Sequence, residues 1–242
     1  MRKIEIKAPV YVPEWLGDAL RGVKRQAKAA AGAGVDLWGD REIEWAYVAA
    51  KMGDGPGRLL DFGASSGNLS MVAAQRGYQV LALDLGSENF PWKHAKVEFQ
   101  QGDLLECRLL PGRFDVILNC SAVEHVGLKG RYGVSGEESD RDLEAMKVMR
   151  RLMKPDGKMV LTIPCGKDAA IAPWHRVYGE MRLPKLLQGF EVADEQYWVK
   201  KSDNRWYAND RETAMAFVPT GHPSDATRCS YALGCFVLRA KI

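Results

Sequence analysis

The stretch Leu60-Asp61-Phe62-Gly63-Ala64-Ser65-Ser66-Gly67-Asn68-Leu69-Ser70 decides how the rest of the chain is read. A short strand runs into a glycine-rich turn, and the turn opens a helix. In an open α/β sheet, ligands bind outside the carboxyl ends of the strands, where such turns lie. Gly63 lets the backbone pass close to a ligand, and Gly67 lets the helix pack near the strand. Asp61 narrows the choice of ligand. A carboxylate there would repel a pyrophosphate seated at the helix N-terminus, whereas a cationic group would be welcome. The dinucleotide pattern G-x-G-x-x-G is also broken, because Ser65 stands where its second glycine would be. A plain structural turn is the competing reading.

Outward from the turn, short apolar runs alternate with helical stretches. Strands are expected over Arg58 to Phe62, Gln79 to Asp84, Lys96 to Gln100, Phe114 to Cys120 and Lys158 to Ile163. Helices are expected over Gly67 to Arg76 and Glu137 to Met153, the second closed by the turn Lys154-Pro155-Asp156-Gly157. Phe190 to Val199 and Tyr231 to Arg239 add an antiparallel edge pair. This pattern predicts an α/β fold. It is a doubly wound, mostly parallel, seven-stranded sheet with an antiparallel C-terminal strand and helices on both faces. Residues 1–57 read as an N-terminal helical cap and 58–242 as the core. In the cap, Glu14 to Ala31 carries Arg21, Lys24, Arg25 and Lys28 on one helical face. Asp40 to Met52 is a second helix that Asp40 caps, with Ile43, Ala46, Tyr47 and Ala50 on its apolar face.

Composition excludes other classes. The 242 residues are 46% hydrophobic and 27% charged with a net charge of +3, which suits a globular chain and not a disordered one. The near-neutral balance gives no electrostatic footprint for nucleic acid, so none is expected as partner. No apolar run reaches the length of a membrane helix, and the N-terminus lacks the apolar core of a signal peptide. The five cysteines are odd in number and form no C-x-x-C pair, which points to a reducing cytoplasm. No His/Asp/Glu cluster has metal-ligand spacing, so no metal is expected.

Two more acids fall in sequence with Asp61. Asp84 ends the second strand, where a carboxylate can accept ribose hydroxyls, and Asp103 follows the third strand. With Asp61-Phe62-Gly63-Ala64-Ser65-Ser66-Gly67, these positions resemble the class I S-adenosylmethionine-dependent methyltransferases, whose first motif is (D/E)-x-G-x-G-x-G. The middle glycine of that motif is Ser65 here. The resemblance implies S-adenosylmethionine as cofactor, held by Asp61, Gly63, Ala64, Ser65 and Gly67. It implies Asp84 and Leu85 at the ribose and Asp103 and Leu104 at the adenine. Asn119 and Cys120, at the end of the fourth strand, complete the implied set.

The run Asn119-Cys120-Ser121-Ala122-Val123-Glu124-His125 ends where cofactor and acceptor must meet. Methyl transfer to a hydroxyl needs a group that accepts its proton, and an imidazole suits that task. Of the four histidines, His125 is placed best, with His175 second. After the fifth strand, Pro173-Trp174-His175-Arg176-Val177-Tyr178 mixes groups that bind a ring and an anion. Together with Glu124-His125-Val126-Gly127 these segments resemble bacterial methyltransferase-domain proteins associated with glycan biosynthesis. That resemblance implies a small-molecule or glycan acceptor, most simply a sugar hydroxyl, contacted by Glu124, Trp174, His175, Arg176 and Tyr178. Competing readings are a nucleobase methyltransferase, a nicotinamide-dependent oxidoreductase and a non-catalytic cofactor-binding module. Asn119-Cys120-Ser121-Ala122 lacks the N-P-P-(F/Y) run of amino-nitrogen enzymes. Cys120 and Cys165 read as small buried residues in preference to thiolate nucleophiles. Arg41 and Trp45 are expected to close over the methionine end of the cofactor.

Overall fold

A computed structural model describes residues 41–86, 90, 92–130, 140–203, 205–220 and 230–241. The expected basic helix over Glu14 to Ala31 and the Asp40 cap lie outside the described residues. So does the N-terminal part of the helix expected from Glu137, up to residue 139.

Among the described residues, eight strands form the main sheet, one more than the seven expected. In chain order they are β1 (Gly57–Phe62), β2 (Tyr78–Asp84), β3 (Val97–Gln101), β4 (Phe114–Cys120), β5 (Met153–Cys165), β8 (Phe190–Lys200), β9 (Trp206–Asn209) and β10 (Ala232–Ala240). A separate antiparallel hairpin is made by β6 (Ala169–Ile171) and β7 (His175–Val177). Across the main sheet the order is β3-β2-β1-β4-β5-β10-β8-β9. The pairings from β3 to β5 are parallel, whereas β10 runs antiparallel to both β5 and β8. The C-terminal strand therefore lies inside the sheet and not in an edge pair, and β9 extends the sheet beyond β8. This arrangement is the expected doubly wound sheet with its antiparallel C-terminal strand.

Both faces of the sheet are apolar, as a sheet covered on both sides requires. One face sets Leu60, Leu81, Leu83, Ile117, Leu161 and Ile163 against Ala145, Met146, Met149 and Leu152 of α3 (Arg141–Leu152). The other sets Leu59, Val80, Val116, Leu118 and Val160 against α1 (Arg41–Met52) and α2 (Asn68–Gln75). Two short helices, α4 (Leu183–Leu186) and α5 (Arg211–Ala216), and a 3₁₀ turn over Val123–His125 complete the described elements.

Two local expectations are corrected. The face of α1 turned to the sheet is Glu44, Tyr47, Val48 and Met52, while Ala46 and Ala50 are exposed. A glutamate in the middle of that face hid it from a pattern of apolar residues. Tyr47 Oη also donates to Asp194 Oδ2 of β8 at 2.8 Å, and Lys51 Nζ lies 3.0 Å from the same oxygen. Second, Lys154 to Gly157 does not separate α3 from the strand. It bulges within β5, between the pairs Phe114↔Met153 and Val116↔Lys158. Lys154 Nζ holds Asp115 at 2.8 Å there, an anchor that turn propensity alone cannot register.

Candidate functional site

The glycine turn lies at the carboxyl end of β1, in the middle of the parallel strands. Gly63, Ser65 and Gly67 all have left-handed backbones, with φ of 70°, 48° and 70°. A β-carbon at Gly63 would collide with Ala122 Cβ, and one at Gly67 would collide with the Phe90 ring. The turn is therefore held tightly from two sides, and only glycine meets both demands. Trp92 Nε1 donates to Ser66 O at 2.6 Å and covers one flank. Ala64 is buried.

Beneath the turn sits Asp61, 3% exposed, its Oδ2 accepting from Ser70 Oγ at 2.6 Å. Burial pushes this carboxyl up to about 6, opposed by the Ser70 bond and reinforced by the nearby charge of Asp84. Such a group gains most when a cation arrives. Asp84 closes the turn from the next strand. Its Oδ2 accepts from Ser65 N at 2.8 Å and its Oδ1 from Gly86 N at 2.9 Å. Each oxygen keeps acceptor capacity for a hydroxyl. Leu85 beside it is exposed. Asp103 caps the turn after β3 through Leu105 N at 2.9 Å and lies 3.4 Å from Arg141.

The structure thus brings Asp61, Gly63, Ala64, Ser65, Gly67, Asp84, Leu85 and Asp103 to one edge. Two residues expected beside them point elsewhere. Leu104 is 2% exposed and belongs to the core under α3. Asn119 is fully buried; its Oδ1 accepts from Val123 N at 3.2 Å and its Nδ2 faces the sulfurs of Met146 and Met149. With both side chains turned into the core, what these two positions present at the strand ends is backbone. Strand-end position is legible in sequence, but which face a side chain takes depends on the helix packed there. Cys120 is half-buried and takes a 3.6 Å bond from Thr162 Oγ1.

The second cluster lies over the ends of β4 and β5. A 3₁₀ turn, Val123–His125, carries His125, whose Nδ1 meets Trp174 O at 2.6 Å. A carbonyl only accepts, so Nδ1 carries a hydrogen. His125 Nε2 lies 3.7 Å from Glu124 Oε1. Trp174 and His175 are half-buried on the β6–β7 hairpin. Glu124, Arg176 and Tyr178, expected to touch an acceptor, are instead 1%, 2% and 0% exposed. Arg176 bonds Val126 O, and Tyr178 Oη donates to Asp142 Oδ2 at 2.9 Å. Burial, then the charges of Asp142 and Glu124, push the Tyr178 phenol well up. Arg176 thus ties the hairpin to the segment after the 3₁₀ turn, and Tyr178 ties the chain just beyond it to α3. Cys165 is fully buried and its thiol is pushed far up by burial, which makes it no nucleophile.

Sequence reasoning missed Glu44. It is 2% exposed, and its Oε1 accepts from Ser121 Oγ and from Thr162 Oγ1, the latter at 2.7 Å. Its only signal was an acid on the face of a helix that had to be buried.

Comparison with known proteins agrees with this fold. Residues 97–213 match a family model described as a Caenorhabditis protein of unknown function, DUF268. The Burkholderia thailandensis 1,6-didemethyltoxoflavin-N1-methyltransferase, solved with S-adenosylhomocysteine, superposes with a TM-score of 0.53 at 18% identity, over 98% of this chain and 94% of that one. The fold is that of the class I methyltransferases. The ubiquinone biosynthesis O-methyltransferase of Cereibacter sphaeroides is 33% identical over 112 residues, 43% of this chain and 39% of that protein. The ribosomal RNA large subunit methyltransferase E of a Wolbachia strain is 36% identical over 74 residues, 30% of this chain and 34% of that protein. The chain spans less than half the length of the curated relatives it matches. Among the described residues, no helix is long and apolar enough to cross a membrane, and no group of His, Cys, Asp and Glu could hold a metal.

Proposed function

We propose that the protein is an S-adenosylmethionine-dependent methyltransferase acting on a hydroxyl of a small-molecule or glycan acceptor, a sugar first among them. One observation carries the cofactor reading: a buried carboxylate, Asp61, directly under a turn whose three left-handed residues bare the backbone. A pyrophosphate would meet that charge with repulsion, and a sulfonium or ammonium would meet it with attraction. Asp84 then takes the ribose hydroxyls and Asp103 the adenine amine. Arg41, exposed at the start of α1, is suited to the carboxylate of the methionine part.

The cofactor, when bound, supplies a methyl carbon already activated for in-line displacement. The chain supplies position and a proton acceptor. His125 is oriented by the Trp174 carbonyl so that Nε2 receives the acceptor's proton, and Glu124 stabilises the resulting imidazolium. Trp174 and His175 offer a ring face and a polar edge to the acceptor.

Titration with S-adenosylmethionine, S-adenosylhomocysteine and NAD tests the first part. Heat of binding, or a thermal shift, with the sulfur ligands and none with NAD is expected; the reverse identifies an oxidoreductase. A methyl-transfer screen over sugars, phenols and RNA tests the second. Transfer to RNA alone would overturn the acceptor class, and binding without any transfer would favour a cofactor-binding module. His125→Ala is expected to lower kcat by about 10²–10⁴-fold with cofactor affinity unchanged.

A further inference from the structure

Glu44 stands beside the cofactor turn without belonging to any motif. Its helix, α1, covers the sheet face that carries Leu59, Val160 and, two residues further along their strands, Asp61 and Thr162. Glu44, Asp61 and Thr162 therefore share one face. Register places Thr162 opposite Cys120, and Asn119 opposite Phe62, so the Glu44 carboxylate lies level with Gly63, over the junction of β4 and β5.

The contacts of Glu44 shape the same place. Ser121, which donates to it, holds a left-handed backbone at φ 44° and gives its N–H to Thr162 O at 3.0 Å. The next residue, Ala122, is the one that leaves no room for a side chain at Gly63. One carboxylate thus fixes the turn after β4, and that turn borders the turn after β1. A negative group at this level faces a ligand's charged end and not its ring, because the ring sites at Asp84 and Asp103 lie on the far side of β1.

We propose that Glu44 recognises the α-ammonium of the methionine part of the cofactor, an assignment that rests on the reading of the turn as an S-adenosylmethionine site. Glu44 and Arg41 are three residues apart on α1, a helical spacing that sets them as neighbours for the two charges of an amino acid.

Calorimetry with three ligands tests this. S-adenosylmethionine carries a sulfonium and the amino acid, S-adenosylhomocysteine the amino acid alone, and 5′-methylthioadenosine neither. Glu44→Gln is expected to weaken the first two alike, about tenfold or more, as for loss of a charge-assisted bond, and to leave the third unchanged. Equal loss for all three shows that Glu44 only shapes the turn and overturns the proposal. Loss confined to S-adenosylmethionine assigns the charge to the sulfonium and overturns it too, as does no loss at all. Wild-type protein that binds none of the three fails the cofactor reading itself, and the proposal with it. Should Glu44→Gln not fold, Glu44→Asp keeps the charge but withdraws it by one methylene. It is then expected to cost the two amino-acid ligands a few-fold against an unchanged 5′-methylthioadenosine, and parallel losses refute the assignment.

Discussion

Two polar regions share the carboxyl edge of the sheet, and they treat their charges in opposite ways. Around Tyr178, the buried charge of Asp142 is met from within. Asp142 is fully buried and takes Tyr178 Oη and the Arg182 guanidinium, while Asp168 caps Gly179, Met181 and Arg182 through their N–H groups. Around Gly63, Asp61 is buried with a serine hydroxyl on Oδ2, and its carboxyl is pushed up. Desolvation is offset by partners in the first region and left standing in the second. A buried acid whose desolvation outweighs its hydrogen bonds is the kind of group that a charged ligand completes. Residue type alone does not make this distinction, since Arg176 and Tyr178, which look like ligand contacts, are 2% and 0% exposed.

The largest effect expected from breaking this contrast is in the scaffold. Arg182→Ala leaves Asp142 buried and is expected to lose about 3–5 kcal/mol in urea unfolding, with cofactor affinity of the folded fraction preserved. Loss of binding without loss of stability would place Arg182 in the site. Next is Gly63→Ala. Its left-handed backbone and the collision with Ala122 predict a loss of about 2–4 kcal/mol and no measurable cofactor binding by calorimetry.

Asp61→Asn sharpens the comparison because its sign is opposite. With its carboxyl at about 6 in the folded state against an ordinary 3.8, Asp61 binds more protons folded than unfolded between those values. Stability of the free protein therefore falls as pH rises from about 4 to about 6. Asp61→Asn removes that slope and is expected to raise stability at pH 8 by up to about 3 kcal/mol, while cofactor affinity drops. Denaturant titrations at pH 4.5 and pH 8 check it; an unchanged slope would show that another group carries it. The smallest effect is at Trp92→Phe, which loses the bond to Ser66 O. About 0.5–1.5 kcal/mol is expected, read as a few-fold change in cofactor affinity.

Much of the cofactor edge was legible because it is built on local rules. A strand, a glycine turn and a helix follow one another in sequence, and acids close successive strands. Asp61, Asp84 and Asp103 could be placed by counting. The acceptor side resisted the same reading. Trp174, His175, Arg176 and Tyr178 are near neighbours in sequence, yet the first two stay half-buried while Arg176, Val177 and Tyr178 are all buried. The β6–β7 hairpin and β9 have strands of three and four residues, too short for a periodicity to show.

The sequence by itself determined the doubly wound sheet, the order of its parallel strands' acids and the glycine turn after β1. Each depends on spacing within one β-α-β step. The tertiary structure decided which face of α1 is inside, that β10 enters the sheet between β5 and β8, and that Glu44 is buried against Ser121 and Thr162. Glu44 meets its partners 77 and 118 residues away. Burying a charge is settled by whichever groups the whole fold brings around it, and no local pattern records them.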